Sequence, residues 1–114
     1  MDMVKRFEIR NAELNPTIGS EINKIRPCLI VSPDETNKYL NTVVVVPLTS
    51  TLKPYPTRID CHFQEKKGQL AIDQIRCLDK TRLGKKMGEL DNETSRKLCA
   101  AIVETIAAHN FLEV

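Results

Sequence analysis

Five consecutive residues, Thr42-Val43-Val44-Val45-Val46, constrain the fold more than any other stretch of this chain. All five are β-branched, stiff at χ1 and suited to a pleated backbone, so the run reads as a strand. It is apolar on both faces, and an exposed edge of this composition would template aggregation; it therefore reads as a central strand with both faces covered. The strand is expected to stop at Pro47, whose missing N–H ends a ladder, and it delivers Leu48-Thr49-Ser50-Thr51 at its exit. A chain of 114 residues has enough material for one core and not for two, so residues 1–114 are read as a single domain.

The rest must supply the cover. Phe7 and Ile9 alternate with Glu8 and Arg10, the period of a half-buried first strand over about Lys5 to Ala12. Glu13 to Ile25 follows as a long loop with Asn15-Pro16, Gly19 and Ser20, either a functional loop or a solvated connector. Cys28 to Val31 reads as a buried strand, and Ser32 or Asp34 would cap a short helical turn before Asn41. Arg58 to Phe63 places Ile59, Cys61 and Phe63 on one side and Asp60 and His62 on a wet one. Lys66-Lys67-Gly68 has the look of a hairpin turn, leading into one or two strands over Gln69–Asp79 and another near Arg82–Gly88. Asp91 caps a last helix from about Asn92 to Ala108, with Leu98, Ile102 and Ile106 along one face, joined by Ala101 and Val103. These elements make a small α+β domain: a twisted, barrel-like antiparallel sheet with a C-terminal helix packed on it.

Composition removes several classes of function. No apolar run approaches the length of a membrane span and Met1–Arg6 lacks a signal-peptide core, which points to the cytoplasm. Cys28, Cys61, Cys77 and Cys99 are irregularly spaced, without a CxxC pair, so structural thiols are expected, with no zinc, other metal or cofactor. Net charge is only +2, yet residues 51–88 hold nine Lys/Arg against four Asp/Glu and residues 89–114 two against five. That basic middle suits a nucleic acid, an acidic partner or plain solvation, and five aromatics leave little base stacking.

Chemistry concentrates on Arg26. Pro27 pushes the residue before it into extended backbone, so Arg26 stands at a strand start, as a phosphate ligand or as an ordinary surface arginine. If its strand and the valine strand are antiparallel neighbours, Arg26 and the Thr49-Ser50 hydroxyls converge on one rim. Such a rim can hold a phosphodiester, with the guanidinium offsetting developing charge and the hydroxyls donating to a non-bridging oxygen. Asp73-Gln74, ending another predicted strand, adds a carboxylate and an amide for proton transfer or for reading a base edge.

The order and spacing of Glu8-Ile9, Leu14-Asn15-Pro16, Gly19-Ser20-Glu21, Lys24-Ile25-Arg26-Pro27, Val31-Ser32-Pro33, Asn37, Val46–Ser50, Tyr55-Pro56 and Gly68…Asp73-Gln74-Ile75-Arg76 resemble the MazF/Kid (PemK-like) toxins of bacterial toxin–antitoxin systems. The resemblance implies an SH3-like barrel with a C-terminal helix (CcdB/MazF-like), a homodimer, and sequence-specific, metal-independent cleavage of single-stranded RNA. In such a reaction the 2′-hydroxyl attacks the adjacent phosphate and leaves a cyclic phosphate and a 5′-hydroxyl. Carried over, Arg26 and Thr49 are the catalytic pair, with Ser20, Glu21, Lys24, Ser50, Tyr55, Asp73 and Gln74 as substrate-binding candidates. The aspartate matching Asp73 is the base in some members; a guanidinium with an ordinary pKa above about 12 is poorly suited to that task. The chain departs from the family at Phe7, where glycine is usual, at Arg10, where an aromatic is usual, and at Glu13, where aspartate is commoner.

Two other readings share the fold. A CcdB-like gyrase poison would need a tryptophan-containing C-terminus, and this chain has no tryptophan. A non-catalytic RNA- or protein-binding module would need the basic loops but not Arg26 with Thr49. The resemblance also implies a cognate antitoxin whose acidic tail lands on Lys53–Arg58 and Glu13–Ile25. Tyr55 would stack on a base or on that partner, or its prolines simply stiffen the loop.

Overall fold

In the computed structural model, which describes residues 3–107, the valine run lies in β3 (Thr42–Thr49) at the middle of a curled antiparallel sheet. Around it are β1 (Glu8–Glu13), β2 (Ile25–Ile30), β4 (Arg58–Phe63), β5 (Lys66–Ala71), β6 (Arg76–Asp79) and β7 (Leu83–Glu89). Among the described residues the sheet is accompanied by the α-helices α1 (Asp34–Tyr39) and α2 (Asn92–Ile102). The order across the sheet is β4-β5-β3-β2-β1-β7, with β6 also on β3.

Alternation along β2 and β3 sends side chains to two sides. Leu29, Val46 and Leu48 join Ile9, Leu70 and Ile72 beneath Leu98 of α2, while Cys28, Ile30, Val43 and Val45 pack with Val4, Leu14 and Leu78 on the other side. Both faces of the valine strand are thus covered, as its composition requires. Asp91 caps α2 by accepting from Thr94 N at 2.9 Å. The α-helix ends at Ile102, short of the expected Ala108, and passes into a wider π-turn over Val103–Ala107 where Val103 and Ile106 are exposed. Ala108 lies outside the described residues.

Three local expectations are corrected. β3 does not stop at Pro47 but runs on to Thr49, because its partner changes there: Thr42–Val45 pair with β6, Leu48 and Thr49 pair with β5, and Pro47 falls in the gap where no donor is needed on that side. The β4–β5 turn is Gln64-Glu65, closed by the Phe63–Lys66 pair, and not Lys66–Gly68. Gly68 instead serves a close approach, since a Cβ there would lie 2.9 Å from the Thr49 carbonyl oxygen. Neither Ser32 nor Asp34 caps α1, whose N-cap is Pro33 without a side-chain bond. Ser32 is buried, donating to Asn37 Oδ1 at 2.6 Å and accepting from Val44 N at 3.0 Å.

Candidate active site

The register of β2 on β3 decides the site. Cys28 pairs with Pro47, and the same antiparallel register carried two residues further sets Arg26 across from Thr49. Arg26, Thr49 and Ser50 form a ridge that lines two adjoining clefts. Lys24, in the left-handed region at φ 66°, turns the chain just before β2, and the Arg26 Nε donates to Asn23 O at 3.2 Å. That bond anchors the guanidinium by one nitrogen. The side chain makes no ion pair among the described residues, so its Nη groups are available to an anion. Thr49 Oγ1 accepts from Thr51 N at 3.1 Å, which occupies a lone pair and leaves its hydroxyl hydrogen to donate.

One cleft, about 290 Å³, is walled by Ser20 and Ile22 from the β1–β2 loop, Thr51 and Lys53 from the β3–β4 loop, and Arg58 and Gln74. Its first wall is a held loop. Leu14 is fully buried, Arg76 donates to Leu14 O at 3.1 Å, and Arg82 donates to Glu13 O at 3.1 Å and to Asn15 O. Gln74 accepts from Ile22 N at 3.1 Å and donates to Ser20 O at 3.5 Å, so its amide positions the loop. The opposite wall is held by Gln69, buried beneath it. Its amide accepts from Lys53 N at 2.9 Å and donates to Lys53 O at 3.1 Å and to Asp60 Oδ1 at 2.9 Å. Sequence reading missed Gln69, although a glutamine opening the apolar run Gln69-Leu70-Ala71-Ile72 was a usable signal.

The structure thus brings Arg26, Thr49, Ser50, Ser20 and Gln74 together and leaves the other candidates outside the cleft walls. Glu21 accepts from Ile18 N at 2.6 Å and shapes the loop tip; Lys24 is exposed. Tyr55 is half exposed with the Arg58 guanidinium 5.7 Å from its ring centre. Asp73, in a 3₁₀ turn over Ile72–Gln74 and not at a strand end, is gripped by Arg58 at 2.8 and 3.1 Å and by the Thr57 hydroxyl at 3.0 Å. That grip, the Arg58 bond above all, holds its carboxyl below the usual range. No histidine, aspartate or glutamate is among the described residues lining either cleft. Among the described residues no cluster of three His, Cys, Asp or Glu could hold a metal ion, and no helix is long and apolar enough to cross a membrane. Cys28 and Cys61 are buried, and burial pushes their thiols up to about 12 and about 11.

A curled antiparallel half-barrel with a C-terminal helix is the fold of the CcdB/MazF-like toxins. Its overlay on MazF from Deinococcus radiodurans has a TM-score of 0.84 at 20% identity, covering 95% of this chain and 100% of that one. The chain belongs to the PemK-like, MazF-like toxins of type II toxin-antitoxin systems, whose pattern it matches over residues 5–106. It is 30% identical to Endoribonuclease EndoA of Bacillus subtilis over 96% of this chain and 99% of the relative. It is 32% identical to Endoribonuclease MazF of Staphylococcus saprophyticus, over 94% of each. A mycobacterial endoribonuclease in complex with its cognate antitoxin overlays with a TM-score of 0.79 at 26% identity, covering 94% of this chain and 98% of that one.

Proposed function

We propose that this chain is the endoribonuclease toxin of a toxin–antitoxin pair, cutting single-stranded RNA at short sequences in the cytoplasm. The observation that carries the reading is the ridge itself, a guanidinium with open Nη groups beside a hydroxyl primed to donate, between two clefts. On that ridge the RNA 2′-oxygen forms a bond to the adjacent phosphorus as the bond from phosphorus to the 5′-oxygen breaks. The products are a 2′,3′-cyclic phosphate and a 5′-hydroxyl. Arg26 binds the non-bridging oxygens as charge grows on them, and Thr49 donates to one of them. Ser50 and Ser20 line the path of the strand, and Lys53 and Arg58, the latter aimed by Asp73, are further cations of the groove. Asp73 is engaged off the cleft walls, and no carboxylate or imidazole is among the described residues on them, so the 2′-hydroxyl proton leaves to solvent hydroxide, the departing 5′-oxygen takes a proton from water, and rate comes from charge stabilisation.

Lys53 and Arg58 on one wall and the held β1–β2 loop on the other suit an acidic antitoxin tail laid along the same groove, and two copies of the chain form the working dimer. The test is incubation of purified protein with long RNA in EDTA beside Arg26→Ala. Fragments ending in cyclic phosphate at a recurring short sequence, reduced at least 100-fold in the variant as for a lost charge-stabilising donor, support the enzyme. Intact RNA across diverse substrates, with binding retained, favours the non-catalytic module.

A further inference from the structure

The second cleft on the Arg26 ridge has a different character from the first. Its volume of about 190 Å³ is below the roughly 300–1,000 Å³ of drug-sized sites, and suits one planar ring. Pro27, Leu48, Cys61 and Phe63 make its walls apolar, and the Cys61 thiol, pushed up to about 11 by burial, is neutral at physiological pH. Gly68 leaves the cleft free of a side chain on the β5 side, with its backbone drawn against Thr49. The mouth is polar and cationic: Gln64, Lys66 and Lys67 are exposed there, and no carboxylate is among the described residues lining the cleft.

An apolar slot rimmed by cations, sharing its ridge with a phosphodiester site, fits a base of the same strand whose phosphates lie along those cations. The partly buried Phe63 ring offers an aromatic surface to an inserted base. Gln64, held at φ 52° in the two-residue turn, offers at the mouth an amide with a donor beside an acceptor, the pattern that reads a base edge. We propose that this cleft is a specificity subsite that takes one unstacked nucleobase beside the cleaved phosphate, with Gln64 as the residue that selects it. The proposal rests on the endoribonuclease reading above. Lys66 and Lys67 hold flanking phosphates there without selecting sequence.

The test is cleavage of a randomised single-stranded RNA pool, with cut sites sequenced, by the wild type, Gln64→Gly and Gln64→Glu. Glycine at a φ of 52° is unstrained, so Gln64→Gly retains the turn. Expected are a base preference at one position beside the cut in the wild type, narrowed roughly tenfold in Gln64→Gly, and a changed preference in Gln64→Glu, which has the acceptor without the donor. Unchanged preferences at every position in both variants would overturn the subsite and leave the enzyme standing. A wild type that cuts nothing overturns the enzyme reading and the subsite with it. A preference lost together with a changed oligomeric state on size exclusion would make the cleft a subunit contact, and would also overturn the proposal.

Discussion

Asp73 is next to cleft-lining Gln74 in sequence, and its surroundings decide what its carboxylate does. Arg58 approaches through two nitrogens and Thr57 through its hydroxyl, so three of the acceptor positions are taken. The Arg58 side chain is 9% exposed and that of Asp73 32%, which makes this a half-screened pair worth no more than about 1 kcal/mol. Because the folded carboxyl titrates below its unfolded value of about 3.9, the stability it contributes is present above that pH and is lost as pH falls through the folded value. Asp73→Asn is therefore expected to lower the urea midpoint at pH 7 and to match the wild type at acid pH. In RNA cleavage the variant should raise KM as Arg58 loses its aim, while the rise of rate with pH stays parallel to the wild type; a flattened pH profile with collapsed kcat would make Asp73 the base. A proline, a strand start and a strand end were enough to put Arg26 and Thr49 at strand ends in the sequence; that they share a rim was conditional on the antiparallel pairing that the β2–β3 register supplies. The role of Asp73 was not legible, because its partner lies fifteen residues away along the chain and only the β4–β5 hairpin joins the two.

At the scale of elements, the period-two alternation was enough to find β1 and β4, and the unbroken β-branched run to find the two-sided burial of β3. The turn between β4 and β5 escaped it because this chain closes the hairpin without glycine: Gln64 and Glu65 have φ of 52° and 63°, the mirror-type turn that glycine or asparagine enters readily. The nearby glycine at 68 drew the reading to itself, although β5 needs it to approach Thr49. Holding a side-chain-bearing residue in the left-handed region costs roughly 1 kcal/mol or more. Glu65 is exposed and makes no hydrogen bond or ion pair through its side chain among the described residues, so Glu65→Gly should relieve that cost with little else lost. The expected outcome is a stability gain of about 1 kcal/mol, reduced by the greater freedom glycine has when unfolded, seen as a higher urea midpoint at unchanged slope. A fall in midpoint would show that the turn is not strained.

Across the whole molecule, the same curl of sheet that buries β3 on both faces gathers basic residues scattered in sequence onto one rim. The excess of Lys and Arg over residues 51–88 could be read from the chain; which of them face the ridge could not, since that depends on the β2–β3 register and on two loops held by Gln69 and Gln74. Arg26, Lys53 and Arg58 line one cleft, and Arg26, Lys66 and Lys67 the other. Lys97 lies on the exposed face of α2, 3.5 Å from Glu93, away from both. Each phosphate neutralised on a single strand contributes about −0.7 to the slope of log affinity against log salt. With five cations on the ridge and its clefts, one of them already half-neutralised by Asp73, a slope of about −3 is expected for RNA made uncleavable by a 2′-deoxy sugar at the cut site. Lys67→Ala should make the slope shallower by about 0.7 and Lys97→Ala should leave it unchanged. Equal losses from both would place the strand on a face other than the Arg26 ridge, because only a path through the clefts distinguishes the two lysines.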